Sequence, residues 1–437
     1  METLIKITRS SYKSEHNGGV PTECGAFIFI PAYSWNEKHY YYLIDTQTKE
    51  TIRWVIDIQE AKAKLRQYMK ENYDYCWENR VLDELNFAFV PHSSIYYKEK
   101  IYVCSVNSFY IIVLDIKTNT YDFIFDNEMK MISSTNVIID DHIIYCRYNT
   151  KDRVNNVKNK TPIPAETIDY SLVDKTYKII NTYECVNIIH SVSMTSNKQY
   201  IISVSTTADP NYPFVEDSKK MYQDKNYMRK MLDDGLMKSQ LHIYDMEKGA
   251  FKIVDLHDCP AHIEHDPHNP NICYISSHAL GVNIIDGFVY SVGHSNIHKL
   301  HLSEESQIVQ SYGEQDFLRI PSHKLFSYNG KNLIAVTVFP QQIHIIDYDT
   351  MTIYKKIKLD NDVQLVDFSD GVFKFPRVDK TPFSVHPINE SSYMYFVGGK
   401  SIKLFNYETN ATECIIMHNL RKDPISVLGH SVLFMRE

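Results

Sequence analysis

Five histidines stand near the starts of apolar, strand-like runs. They are His92 in Val-Pro-His-Ser, His190 in Ile-Ile-His-Ser, His262 in Pro-Ala-His-Ile-Glu-His, His323 in Pro-Ser-His-Lys and His386 in Ser-Val-His-Pro. Imidazole is the commonest ligand for zinc, manganese, iron or copper, and three or four neutral rings converging on one point make a metal site with open positions. A divalent ion held in that way polarises a carboxylate or carbonyl oxygen and stabilises the enolate left when a base removes a proton from the adjacent carbon. β-Elimination, isomerisation and hydration all use this arrangement. A single histidine in a strand is more often a half-buried polar residue bonded to a neighbour, and 19 in 437 residues is not extreme. The argument for chemistry therefore rests on the five recurring in phase.

Something must bring these rings together, and a repeat in the chain supplies it. An apolar strand, an Asp, two residues and a Thr or a substitute, then a second strand, recur at Asp45–Thr48, Asp115–Thr118, Asp245–Lys248, Asp347–Thr350 and Asn406–Thr409. Degenerate copies lie at Ser171–Asp174 and His301–Glu304. An Asp at that place closes an antiparallel hairpin, because its carboxylate takes up the free amides of the turn. Further apolar runs such as Lys100–Val106, Gln199–Ser205 and Asn332–Val338 fall between the hairpins. Four-stranded units repeated seven times predict an all-β fold, a seven-bladed β-propeller of the WD40-like repeat kind, as one domain over residues 1–437. The inner strands of such a fold flank a central channel, and the five histidines lie at their starts.

Two intervals are long enough for helical inserts, at 58–80 and 216–237. The first carries Ile58, Ala61, Leu65, Tyr68 and Met69 at helical spacing, the second Met221, Met228, Met231 and Leu232. The Met stripe is expected to pack on the propeller surface, with a substrate lid as the other reading. The stretch Ile425–Met435 is expected to complete the first blade.

Composition fits a large core, with 43% hydrophobic residues and 32 tyrosines. A net charge of −8 with no basic block argues against nucleic acid. No apolar run of membrane-spanning length and no signal-like start are present, so a cytoplasmic protein without a membrane partner is expected. The eight cysteines are scattered, without a Cys-x-x-Cys, and are expected to be reduced and buried.

The segment His262-Ile-Glu-His-Asp266-Pro-His-Asn-Pro270, followed by an apolar strand ending at His278, resembles the oligogalacturonate-lyase family. In that family a His-Pro-Gln-Phe motif, an Asp-Pro-Asn turn, an apolar strand and a Cys-His-Glu-Gly motif follow in order. The stretch His323-Lys-Leu-Phe-Ser327-Tyr-Asn-Gly330 looks like its His-x-x-x-Ser-x-Asp-Gly motif. The resemblance covers residues 185–340 and implies a seven-bladed propeller with a metal in its channel. It places His262 and His323 as metal ligands and His278 at the later motif's histidine, with His190 as a third ligand or catalytic group. The chain departs from the family at Leu318–Pro321, where the family has Gln and His, and at Ser277-His278-Ala-Leu. The ion must then be held differently, with His386 making up the set.

The expected function is a metal-dependent lyase acting on an acidic or carbonyl-bearing small molecule. His190, His262, His323 and His386 are its candidate ligands for Mn, Fe or Zn, and His190 and His278 its candidate catalytic residues. A non-catalytic interaction scaffold and an iron-dependent oxygenase with an all-His site are the alternatives. Oligomeric state has no signature in the sequence. Asp140-Asp141-His142 reads as a turn rather than a metal pair, and no phosphate-binding glycine loop or Gly-x-Ser-x-Gly elbow occurs.

Overall fold

The structure is a computed structural model that describes residues 6–7, 27–33, 38–45, 51–57, 59, 63, 67, 90–106, 108–149, 162–185, 188–206, 239–256, 258–278, 280–285, 288–292, 296–313, 323–338, 342–358, 372–376, 382–388, 390–398, 401–417, 426–427 and 433–435. Every element among them is a β-strand. Six four-stranded antiparallel meanders follow one another in chain order, a β-propeller arrangement. Among the described residues no helix is long and apolar enough to cross a membrane. The chain divides into two compact units, Met1–Ser134 with Cys414–Glu437, and Thr135–Glu413.

In the first unit β1 (Lys6–Ile7) pairs with Met417 and Ile416. The strands β2 (Phe27–Tyr33), β3 (Lys38–Asp45) and β4 (Thr51–Asp57) form an antiparallel sheet, and β5 (Val90–Tyr97), β6 (Lys100–Val106), β7 (Tyr110–Asp115) and β8 (Thr120–Phe125) form the first meander, followed by the short β9 (Met131–Ile132). The two sheets share one core. Phe29, Tyr41, Leu43, Trp54 and Ile56 pack with Ile101, Val103, Tyr110, Ile112 and Leu114, all at 2% exposure or less.

The second unit carries the other five meanders. They are β10 (Val137–Ile139), β11 (His142–Tyr148), β12 (Ile163–Ser171) and β13 (Tyr177–Cys185); β14 (Ile188–Met194), β15 (Tyr200–Thr206), β16 (Ser239–Asp245) and β17 (Ala250–Leu256); then β18 (Cys259–His265) and β19 (Ile272–His278). At this point a hairpin interrupts the repeat. Its strands β20 (Leu280–Ile285) and β21 (Phe288–Val292) make a separate sheet with a later strand, before β22 (Ile297–His301) and β23 (Gln307–Tyr312) complete the meander. Next come β24 (His323–Tyr328), β25 (Lys331–Val338), β26 (Gln342–Asp347) and β27 (Thr352–Lys358). β28 (Val372–Pro376) then pairs with β21, and β29 (Pro382–Pro387), β30 (Tyr393–Gly398), β31 (Ser401–Asn406) and β32 (Thr412–Met417) end the series. Neighbouring meanders pack through buried aliphatic faces. Ile202, Val204 and Leu241 meet Cys273, Ile275 and Leu300, and Tyr274 and Ile297 meet Ile334, Val336 and Ile346.

The last strands, β33 (Ser426–Val427) and β34 (Leu433–Met435), return to the first unit, where both pair antiparallel with β2. This matches the expectation for Ile425–Met435. The expected helical insert at 58–80 lies outside the described residues except for Gln59, Ala63 and Gln67, which are helical, and the one at 216–237 lies wholly outside them.

Turn chemistry explains why the hairpins form where the repeat puts them. Each repeat closes the third strand of a sheet onto its fourth. Oδ1 of Asp115 accepts from Thr118 N at 2.9 Å, Asp245 from Lys248 N at 3.1 Å, Asp347 from Thr350 N at 3.1 Å and Asn406 from Thr409 N at 3.0 Å. In the degenerate copy Ser171 Oγ takes the Asp174 amide at 3.1 Å. Four residues beyond each of the four capping carboxylates or amides the backbone turns left-handed, at Asn119, Gly249, Met351 and Asn410.

The first-to-second strand turns are of another kind. Lys98–Glu99, Asp140–Asp141 and Asn329–Gly330 all have two successive residues at positive φ, the mark of a two-residue type I′ hairpin. Asp140-Asp141-His142 is thus a turn, as its sequence suggested. Only Asn329–Gly330 has the residues such a turn favours. Replacing Lys98 by Asn and Glu99 by Gly together is expected to raise stability by about 1 kcal/mol, read from the urea midpoint. An unchanged or lower midpoint would show that the Lys98 and Glu99 side chains offset the backbone strain.

Candidate metal centre

The candidate ligands lie on first strands, and a backbone irregularity decides how they are presented. In β5 the register against β6 shifts between Pro91 and Ser93, leaving His92 as the bulged residue. In β14 the same shift between Ile189 and Ser191 puts His190 in the bulge. In β18 it falls between Pro260 and His262, with Ala261 bulged, and in β29 between Pro382 and Ser384. A bulge withdraws one residue from the ladder and re-aims its side chain. β24 has none, and His323 sits opposite Val336 in regular register.

In the second unit, bulge meets bulge. The Ala261 carbonyl accepts the Nδ1–H of His190 at 2.9 Å and the hydroxyl of Ser191 as well. The peptide of His190 is pinned from the other side, its carbonyl accepting from Thr135 N at 3.1 Å. The ring of His262 stands edge-on to that of His190, with centroids 5.1 Å apart and planes at 78°. The candidate ligand nitrogens of the two rings lie within 4.8 Å of each other. Farther along the same strands His265 Nε2 bonds Ser193 Oγ at 2.8 Å.

A carbonyl can only accept, so the bond to Ala261 fixes the proton of His190 on Nδ1 and makes Nε2 the lone-pair nitrogen. This is how metal-binding imidazoles are commonly oriented, with the second ring nitrogen donating to a backbone carbonyl. Burial, partly opposed by the bond to Ala261, pushes the His190 pKa down to about 4. At neutral pH the ring is therefore uncharged, the form a metal requires.

Among the described residues of the second unit, His323 and His386 are not grouped with this pair. His92 holds the bulge of β5 in the first unit and is 7% exposed. His323 is 2% exposed, with Nε2 bonded to the Tyr274 carbonyl at 3.2 Å, and burial holds its pKa down to about 4. His386 is half-buried, and its Nε2 bonds Ser384 Oγ at 3.0 Å within its own strand. His278 ends β19 opposite Cys259, and its side chain lies outside the described residues. The four cysteines whose side chains are described, Cys104, Cys146, Cys185 and Cys273, are all free and buried.

Sequence reasoning missed a second set of histidines, one on the third strand of three successive meanders. His242, His298 and His344 are all buried. Tyr183, on β13, lays its ring 4.8 Å from His242 of the next meander, and Tyr312 on β23 bonds His344 Nδ1 at 3.1 Å. His298 instead serves a buried carboxylate. Asp258 Oδ2 accepts from His298 Nε2 at 2.7 Å, Ser277 Oγ at 2.6 Å and Asn296 Nδ2 at 2.8 Å. Burial would raise the Asp258 pKa, but these bonds outweigh it and hold the carboxyl below its usual value. The signal was present in the recurring apolar-His pairs Leu241-His242, Ile297-His298 and Ile343-His344.

No protein-family model matches the chain, and no curated protein matches it either. The functional reading rests on the residues themselves.

Proposed function

We propose that this β-propeller protein binds a divalent transition metal through His190 and His262 and uses it as a metal-dependent lyase on an acidic or carbonyl-bearing small molecule. The observation that carries the reading is the Nδ1–H bond of His190 to the Ala261 carbonyl, beside a second imidazole at ligand spacing. It supplies a neutral ring with its lone pair fixed. A bound ion would supply the Lewis acidity that favours proton removal beside a carboxylate or carbonyl. The protein's own contribution is to hold His190 in one tautomer and one orientation. The likeness to oligogalacturonate lyases in residues 185–340 favours elimination among the reactions such an ion serves, with His278 as the proposed base. We also read the sheet of β2–β4, completed by β33 and β34, as the seventh blade, since its third and fourth strands form the hairpin after Asp45.

The test is metal analysis of the full chain purified without a metal-affinity tag and equilibrated with zinc or manganese. Near-stoichiometric metal is expected, and His190→Ala and His262→Ala are each expected to weaken binding more than about a hundredfold. Ala261 presents only its carbonyl, so Ala261→Ser should keep the metal. Metal-free protein with unchanged thermal stability in both His variants would leave a non-catalytic interaction scaffold. The apolar side chains on outer strands, Ile179, Ile253 and Val309, each 45% exposed or more, favour that second reading.

A further inference from the structure

We propose that Ser311 is a base-activated nucleophile, backed by His298 and Asp258, that takes an acyl group from activated esters. The three residues form a chain of hydrogen bonds running from solvent into the protein. Ser311, on β23, is exposed, and its Oγ lies 2.7 Å from His298 Nδ1. His298, directly opposite it on β22, is 8% exposed, and its Nε2 lies 2.7 Å from Oδ2 of Asp258, which is 7% exposed.

Donor accounting sets the direction of the chain. The ionised carboxylate of Asp258 can only accept, so the proton of the neutral ring sits on Nε2 and the lone pair on Nδ1. Ser311 must then donate its hydroxyl hydrogen to Nδ1. That is the arrangement of nucleophile, base and orienting carboxylate used in acyl transfer, recognised by roles rather than by sequence order. The same Asp258 oxygen is held by Ser277 and Asn296, which fixes the carboxylate and through it the ring. Among the described residues β23 is the edge strand of its sheet, so amides on its outer side have no ladder partner there.

The step balances without a cofactor. Ser311 Oγ bonds to the ester carbonyl carbon while its proton passes to His298 Nδ1. The tetrahedral oxyanion collapses, the bond to the leaving oxygen breaks, and the proton leaves with that group or to solvent. Water attacks the acyl-serine in the same way and releases the carboxylic acid. With a fluorophosphonate the Oγ–P bond forms, the P–F bond breaks and fluoride departs.

The test uses the full chain with p-nitrophenyl acetate and a biotin-linked fluorophosphonate, the label being located by peptide mass spectrometry. Label is expected on Ser311, and p-nitrophenolate release is expected to fall at least about a hundredfold in both Ser311→Ala and His298→Gln. Ser311 is exposed, so Ser311→Ala should melt at the parent temperature and keeps the test readable should His298→Gln fail to fold. The reaction should persist in chelator, which separates it from the proposed metal centre. No label at Ser311, or equal release by the parent and Ser311→Ala, overturns the proposal.

Discussion

Lowering the pH from 7 to 5 is expected to cost this protein most of its stability, well before its carboxylates titrate. His190, His242, His265 and His323 all have pKa values pushed down from 6.5 to about 4, in each case chiefly by burial. The sign follows from which state takes up protons first. Below 6.5 the unfolded chain protonates these rings while the folded protein does not, so stability falls with pH until about 4, where the folded rings also titrate. Each shift is worth about 3 kcal/mol once fully expressed, and about 2 kcal/mol at pH 5. His190 and His265 are only partly buried by surface area and stand at the low end. Four such groups together are comparable with the whole stability of an ordinary domain, about 5–15 kcal/mol. Urea unfolding at pH 7, 6 and 5 should show a steep fall in midpoint, reduced in His242→Gln. A midpoint flat over that range would mean that these rings are solvated or charged in the folded state.

Asp258→Ala is expected to destabilise the protein by about 3–5 kcal/mol, more than any surface change. The substitution strands three donors at once, on the buried His298 and Ser277 and on the half-buried Asn296. Asp258→Asn keeps the shape but offers one amide oxygen in place of the carboxylate, and should cost about 1–2 kcal/mol. Thermal melts of the two variants check the order. Equal and small losses would show that water replaces the carboxylate at no cost.

Much of the architecture was legible because its cause is local. An Asp or Asn at the start of such a turn takes the amide three residues on whatever lies elsewhere in the chain, and Asp115, Asp245, Asp347 and Asn406 all do so. The hairpin of β20 and β21, inserted inside a meander, was not anticipated, since nothing in its own residues says that β19 will resume pairing with β22 beyond it. The histidines were half legible. Their place on first strands followed from sequence, but which of them meet does not. That depends on a one-residue shift in β14 and β18 that turns His190 toward Ala261, whereas the unshifted β24 buries His323 against Tyr274. The Asp258 cluster was invisible for a different reason: its partners lie 19 to 40 residues away, and only folding makes them neighbours.

The pairing of β2 with β33 and β34 has a consequence for biosynthesis. Phe27 and Phe29 find their partners Met435 and Leu433 some four hundred residues later. At about 5–20 residues per second a ribosome needs on the order of 20–80 s to span that gap. During that time one edge of β2 offers its amides and carbonyls to any passing strand. The sheet of β2–β4 is therefore finished last among those described, and a cell making this protein would gain from a chaperone that guards residues 27–33 until β33 and β34 emerge.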